Sequence, residues 1–193
     1  DFDETPEGPQ GMYLQRVGNA YEIWVNGWLI DHQGSLSEHN GSDFGQVPRY
    51  LSLPPGLLRQ HNEVLIHIRA DIGRRAGLSP VSVGPAAEVM PLYQRAYFWR
   101  VTGSVVVICI SVLVGLVSLI LWATQRVPRS GGGFRRDALY LSAAVAELAW
   151  TFRVGDALVE NPPLDWPWWG LVPVVALAVW GAAMGAFCVQ VAG

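Results

Sequence analysis

An all-β outer domain followed by an α-helical transmembrane bundle is the fold class that this sequence predicts, and three observations carry the prediction. Val101–Ala123 reads VTGSVVVICISVLVGLVSLILWA, an apolar run without a charged residue. At about 1.5 Å of rise per helical residue it reaches the roughly 30 Å of a bilayer's hydrocarbon core. The chain before it alternates apolar and polar side chains with the period-two pattern of half-buried strands. After it come two more apolar stretches, set apart by an arginine-rich loop and a loop rich in Pro and Trp. A core helix of a soluble protein would show a polar face, and a secretory h-region would be shorter and N-terminal.

Flanking charge orients the first span. The loop Thr124–Asp137 carries Arg126, Arg129, Arg135 and Arg136 against Asp137. Short arginine-rich loops stay in the cytoplasm, so the N-terminal part is expected outside. Tyr97, Phe98 and Trp99 form an outer aromatic belt, Trp122 marks the inner edge, and Arg95 and Arg100 snorkel to the outer interface. The net charge of −3 divides in the same way: acidic before the span, basic in the first loop, acidic again around Asp156, Glu160 and Asp165. The two cysteines, Cys109 and Cys188, both lie in apolar stretches, so neither a disulfide framework nor a metal cluster is built from them. Asp1 opens without a signal peptide and Gly193 closes an apolar run, so the chain is expected to be a piece of a longer protein.

The outer domain is assigned to residues 1–92. DFDETPEGPQG is a loop; Tyr13–Val17 and Tyr21–Trp28 then alternate and are rich in aromatic and β-branched residues. Asn26-Gly27 interrupts the second run as a type I′ turn, predicting a hairpin of Tyr21–Val25 with Trp28–Ile30. The polar loop Asp31–Pro48 holds His32, His39, Asn40 and Asp43, whose spacing fits no zinc motif, and no metal is assigned. Tyr50–Leu53 is the next strand. In VLIHIRAD, Val64–Asp71, alternation puts Val64, Ile66, Ile68 and Ala70 on a core face and Leu65, His67, Arg69 and Asp71 on the other. Convergent polar groups on a sheet face suit a small ligand, so His67, Arg69 and Asp71, with Arg74 and Arg75 of the following loop, are the candidate binding residues.

Residues 93–193 are assigned to the membrane, with spans at about 101–123, 138–158 and 168–191. The second contains Glu147 near its centre; a carboxylate at mid-membrane is costly and makes Glu147 the functional candidate of this half. Arg153 and Asp156, three apart, pair toward its outer end. Trp166, Trp168 and Trp169 renew the outer belt. Pro173 kinks the third span, and Gly181 and Gly185 form a GxxxG packing step.

Two resemblances follow from particular residues. The hairpin Trp24-Val25-Asn26-Gly27, with Leu57-Leu58, Asn62 and Val64-Leu65-Ile66 after it, resembles the jelly-roll sandwiches of galactose-binding-like type; Gln60 stands where their glycine is usual, and Val64 where their leucine is. That WVNG hairpin, the RADIGRRAGLSP loop, RVTGS at the start of the first span and ENPPLDWPWWG before the third together resemble the bacterial seven-transmembrane receptors with diverse intracellular signalling modules. The resemblance implies a jelly-roll-like sensory domain that binds a small molecule, a carbohydrate or a carboxylate, and signals as one chain or as a homodimer. It also implies a cytoplasmic output module, a histidine kinase or a diguanylate cyclase. No catalytic residue, cofactor, metal or nucleic acid is assigned: Gly131, Gly132 and Gly133 lack the strand and helix of a phosphate-cradling loop. A transporter or membrane assembly subunit is the alternative, with Glu147 on a proton path.

Overall fold

Two consecutive residues with positive φ close the first hairpin. Asn26 has φ 50° and Gly27 φ 84°, the geometry of a type I′ turn, and they join β2 (Ala20–Val25) to β3 (Trp28–Gln33). In this computed structural model the described residues are 8–37, 42–74, 77–128 and 134–192. The remaining strands are β1 (Gln10–Leu14), β4 (Arg49–Leu53), β5 (Val64–Arg69) and β6 (Val81–Pro85). They make two antiparallel three-stranded sheets, in the orders β4-β1-β6 and β3-β2-β5. Met12 and Leu14 from one sheet and Tyr21, Ile23 and Val25 from the other meet Val17, Phe44 and Leu53 in a single core.

β1, the central strand of the first sheet, is buried on both faces, because α1 (Ala86–Tyr97) covers the face turned away from the core. The alternation in the sequence before the long apolar run did not signal this helix or β6. Gly11 makes the layering feasible: a Cβ there would lie 2.6 Å from the Tyr50 hydroxyl oxygen, and the Tyr50 ring in turn packs 5.8 Å from that of Tyr93 on α1. The second sheet leaves its outer face open, with Trp24, Leu29, Leu65 and His67 on it.

Three strand expectations change in detail. The first strand begins at Gln10 and ends at Leu14, while Val17 forms only a bridge to Leu78. β3 runs on to Gln33 and takes His32 out of the loop. In β5 the alternation fails at its end: Ile68 is exposed and Arg69 is buried, because an ion pair and a backbone carbonyl draw the guanidinium inward.

The β domain also reaches further than Leu92. One compact unit comprises Asp1–Thr102 together with Leu158–Trp166; the other comprises Gly103–Ala157 and Pro167–Gly193. The second unit contains α2 (Gly103–Thr124), α3 (Ala138–Gly155) and α4 (Trp168–Ala192). Two helical runs are long and apolar enough to cross a membrane, Ala86–Thr124, which takes in α2, and Trp168–Ala192. α3 is capped by Asp137, whose carboxylate accepts from the Leu139 N–H at 3.0 Å. It packs on α2 where Gly115 leaves no room, since a Cβ there would lie 3.0 Å from Leu148 Cγ. On its other side Trp150 meets Trp180 of α4 at 5.2 Å, and the Ser142 hydroxyl donates to Gln190 at 3.3 Å. Asp156 accepts the Trp169 indole N–H at 2.9 Å. A Cβ on Gly181 or Gly185 would meet nothing within 4 Å, so the expected packing step faces no described neighbour.

Candidate functional site

Three backbone corners converge where β5 ends, and their closeness follows from small residues. Gly18 has φ +24°, and a Cβ on Gly45 would lie 2.6 Å from the Gly18 carbonyl oxygen, so both positions need glycine. Asn19, fully buried between them, works as a three-way staple. Its side chain accepts from the Asp71 N–H at 2.9 Å and donates to Asp43 at 3.0 Å, and its backbone binds Arg69 and Phe44. A buried amide with this many partners fixes the corner more firmly than packing alone would.

On that staple sit three of the candidate binding residues. Asp71 Oδ1 accepts from Arg69 Nε at 2.9 Å, and its Oδ2 accepts from Arg69 Nη2 and from Arg74 Nη1, both at 3.2 Å. Arg69 also donates to the Ser35 carbonyl, and Arg74 to the Ser42 carbonyl at 2.8 Å. The side chains are only 8 %, 10 % and 3 % exposed for Arg69, Asp71 and Arg74. One carboxylate thus offsets two guanidiniums, and each guanidinium also donates to a main-chain carbonyl. His67 stands apart from them. It lies on the open sheet face opposite Glu22, with Nδ1 3.8 Å from Glu22 Oε2, the oxygen that also accepts the Trp24 indole N–H at 3.2 Å. Arg75 lies outside the described residues, as do His39 and Asn40. Among the described residues, no group of three or more His, Cys, Asp or Glu side chains is placed to hold a metal ion.

A second set of contacts was not visible in the sequence. The loop after α3, Leu158–Trp166, belongs to the β domain's compact unit. The Glu160 carboxylate takes Arg49 Nη2 at 2.5 Å, and its carbonyl accepts from the Asp43 N–H at 2.8 Å. Trp166 receives the Arg74 guanidinium 4.7 Å from its ring centroid. Arg49 lies beside the fully buried Tyr21, whose hydroxyl donates to Asp31 at 2.8 Å. Burial pushes the Tyr21 phenol well above its ordinary pKa; Arg49 pulls the other way, and Asp31 and Glu160 add to the rise.

The residues that carried the jelly-roll resemblance form a lock at the opposite end of the sheet. Asn26 Nδ2 donates to the Leu57 carbonyl at 2.8 Å and to Asn62 Oδ1 at 3.0 Å, and its Oδ1 accepts from the Glu63 N–H at 2.9 Å. Asn62, fully buried, closes the Arg59 turn through bonds to that residue's N–H and carbonyl. Their chemistry is that of a hairpin pinned to a neighbouring turn.

In the helical unit, the Glu147 carbonyl accepts from the Thr151 hydroxyl at 3.1 Å, and its Cβ faces Gly115. Its carboxylate has no hydrogen-bond partner among the described residues. Arg136 covers the Trp122 ring at 4.6 Å.

Fold and site together define a β-rich domain of two antiparallel sheets on a chain with two helices able, by length and apolarity, to cross a membrane. Comparison with protein-family models, with curated proteins and with solved structures found no match to the chain.

Proposed function

We propose that this chain is the sensory input part of a bacterial transmembrane signalling receptor, of the kind that the seven-transmembrane receptors with diverse intracellular signalling modules exemplify. On this reading a jelly-roll-like domain in the periplasm binds a small molecule, a carbohydrate or a carboxylate, and α2, α3 and α4 are three spans of the inner membrane. The output module is a cytoplasmic histidine kinase, with a diguanylate cyclase as the alternative output.

One observation carries the proposal: the chain leaves the β domain at Thr102 and returns to it at Leu158. With α3 as a span, the arginine-rich loop after α2 falls on the far side of the membrane from the domain, as the distribution of positive charge requires. The return also gives a ligand a mechanical handle. Glu160 and Trp166 are held by Arg49 and Arg74, and Arg74 shares Asp71 with Arg69. A ligand that binds one arrangement of this corner more tightly than another biases the ends of α3 and α4. A differential of about 1.4 kcal/mol shifts such an equilibrium roughly tenfold. His67 and Glu22 offer the ligand an open face, while Arg69, Asp71 and Arg74 pass the change on.

The test is a thermal-shift screen of the 193-residue chain in detergent against sugars, carboxylates and amino acids. A hit should raise the unfolding temperature and slow thiol labelling of an L164C variant in which Cys109 and Cys188 are replaced by alanine. If no compound does either, or if the chain itself turns over ATP or GTP, the sensory reading fails.

A further inference from the structure

The turn that follows β5 ends in an apolar side chain that the β domain leaves bare. The Arg74 N–H donates to the Asp71 carbonyl at 3.2 Å and Gly73 has φ +81°, a combination that fits a type II turn with Ile72 at its apex. Ile72 is 94 % exposed. A single bare isoleucine needs no explanation; its company makes this one informative. A Cβ on Gly73 would lie 3.5 Å from the Trp166 ring, which the Arg74 guanidinium also covers, and Leu164 stands exposed two residues before that tryptophan. Both pieces are held from within, the turn by Arg69, Asp71 and Arg74 and the loop by Arg49 and the Asp43 N–H, so the apolar group rests on a rigid base.

Connectivity limits where that group can go. Trp166 is two residues before the first residue of α4, so at 3.8 Å per residue its Cα lies within about 8 Å of the helix start. α4 is apolar enough to cross a membrane and opens with Trp168 and Trp169, side chains that concentrate at the boundary between membrane and water. We propose that Ile72, Leu164 and Trp166 form a seating tip by which the β domain enters the interfacial layer of the bilayer that α4 crosses. The occupant is lipid because the tip is tied covalently to a span, and among the described residues the exposed charge beside it, Asp165, is acidic. Apolar burial and aromatic anchoring hold the tip, so it needs no anionic lipid. The inference rests on the membrane reading of α2 and α4.

The test uses the 193-residue chain in phosphatidylcholine nanodiscs, with Cys109 and Cys188 replaced by alanine. An environment-sensitive fluorophore is attached to a single cysteine from I72C, G56C or V114C. Gly56 is exposed with nothing within 4 Å of its Cβ position and serves as the water reference; Val114, exposed on α2, serves as the hydrocarbon reference. The probe at position 72 should emit to the blue of the one at 56. A nitroxide lipid labelled near the headgroup should quench it more strongly than one labelled deep in the chain, and added anionic lipid should change neither result. If position 72 shows no quenching by lipid while position 114 is quenched by the deep label, the seating tip is wrong and the membrane reading stands. If position 114 also behaves as in water, the membrane reading falls and the tip with it.

Discussion

Removing the Asp71 carboxylate should damage the β domain more than any other single side-chain truncation in the candidate site. Asp71 answers two guanidiniums, Arg69 and Arg74, in a corner where none of the three side chains is more than 10 % exposed. In Asp71→Ala both cations stay where water barely reaches, and stranding a buried charge costs about 3–5 kcal/mol. At roughly 4–8 °C per kcal/mol for a domain near this size, even the lower figure lowers the unfolding temperature by about 12–24 °C. Asp71→Asn keeps an acceptor for one arginine and should lose about 1–3 kcal/mol. The measurement is thermal unfolding of the detergent-solubilised chain followed by tryptophan emission, with the exposed His67→Ala as the control, expected within about 0.5 kcal/mol of the unsubstituted chain. If Asp71→Ala shifts the transition no further than His67→Ala does, the three charges are not a buried staple and the reasoning fails.

Other outcomes follow from the same contacts. Asn62→Ala should cost about 1–3 kcal/mol, because it leaves the Arg59 N–H and the Asn26 amide short of an acceptor; urea titration of the chain in micelles measures it, and a loss below about 0.5 kcal/mol would dissolve the proposed lock. The folded-state pKa of Tyr21 is raised, so its contribution is complete below the unfolded value of about 10 and is lost as pH climbs from there through the folded value. Tyr21→Phe should therefore flatten the alkaline limb of a plot of unfolding temperature against pH, and an unchanged limb counts against it. Glu147→Gln and Glu147→Leu should both leave thermal stability within about 0.5 kcal/mol, since the carboxylate has no partner among the described residues to lose; a clear drop for Leu alone would reveal a structural bond.

The parts of the fold legible in the sequence were those governed by local chemistry. Asn26-Gly27 announced its turn because few other pairs tolerate positive φ at both positions, and the helices α2 and α4 announced themselves by unbroken apolarity. β6 escaped notice because it is short and holds Gly84. α1 escaped because Pro91 interrupts it and its run continues into apolar sequence, which hides the face that Val89 and Tyr93 turn to the sheet. Period-two alternation placed Arg69 on a solvated face, whereas a partner two residues away in sequence and a carbonyl 34 residues away bury it. Of the five candidates, Arg69, Asp71 and Arg74 lie close in sequence and come together, but their pairing depended on Asn19, which no local pattern marks. The docking of Glu160 on Arg49, 111 residues apart, had no sequence signal at all.

That last separation bears on how the protein is made. The closing piece of the β domain, Leu158–Trp166, is synthesised only after α2 and α3, so a nascent chain halted anywhere before Leu158 presents a sandwich whose Arg49 and Arg74 still await Glu160 and Trp166. Ring closure over a long flexible segment grows costlier only with the logarithm of its length, and here the intervening chain is itself folded into a helix pair that shortens the effective loop. Final consolidation of the domain therefore waits on synthesis of the helix pair that precedes Leu158. A soluble excised version ending at Thr102 lacks its last piece, and should mature fully only when Leu158–Trp166 is supplied, as a fused peptide or in trans.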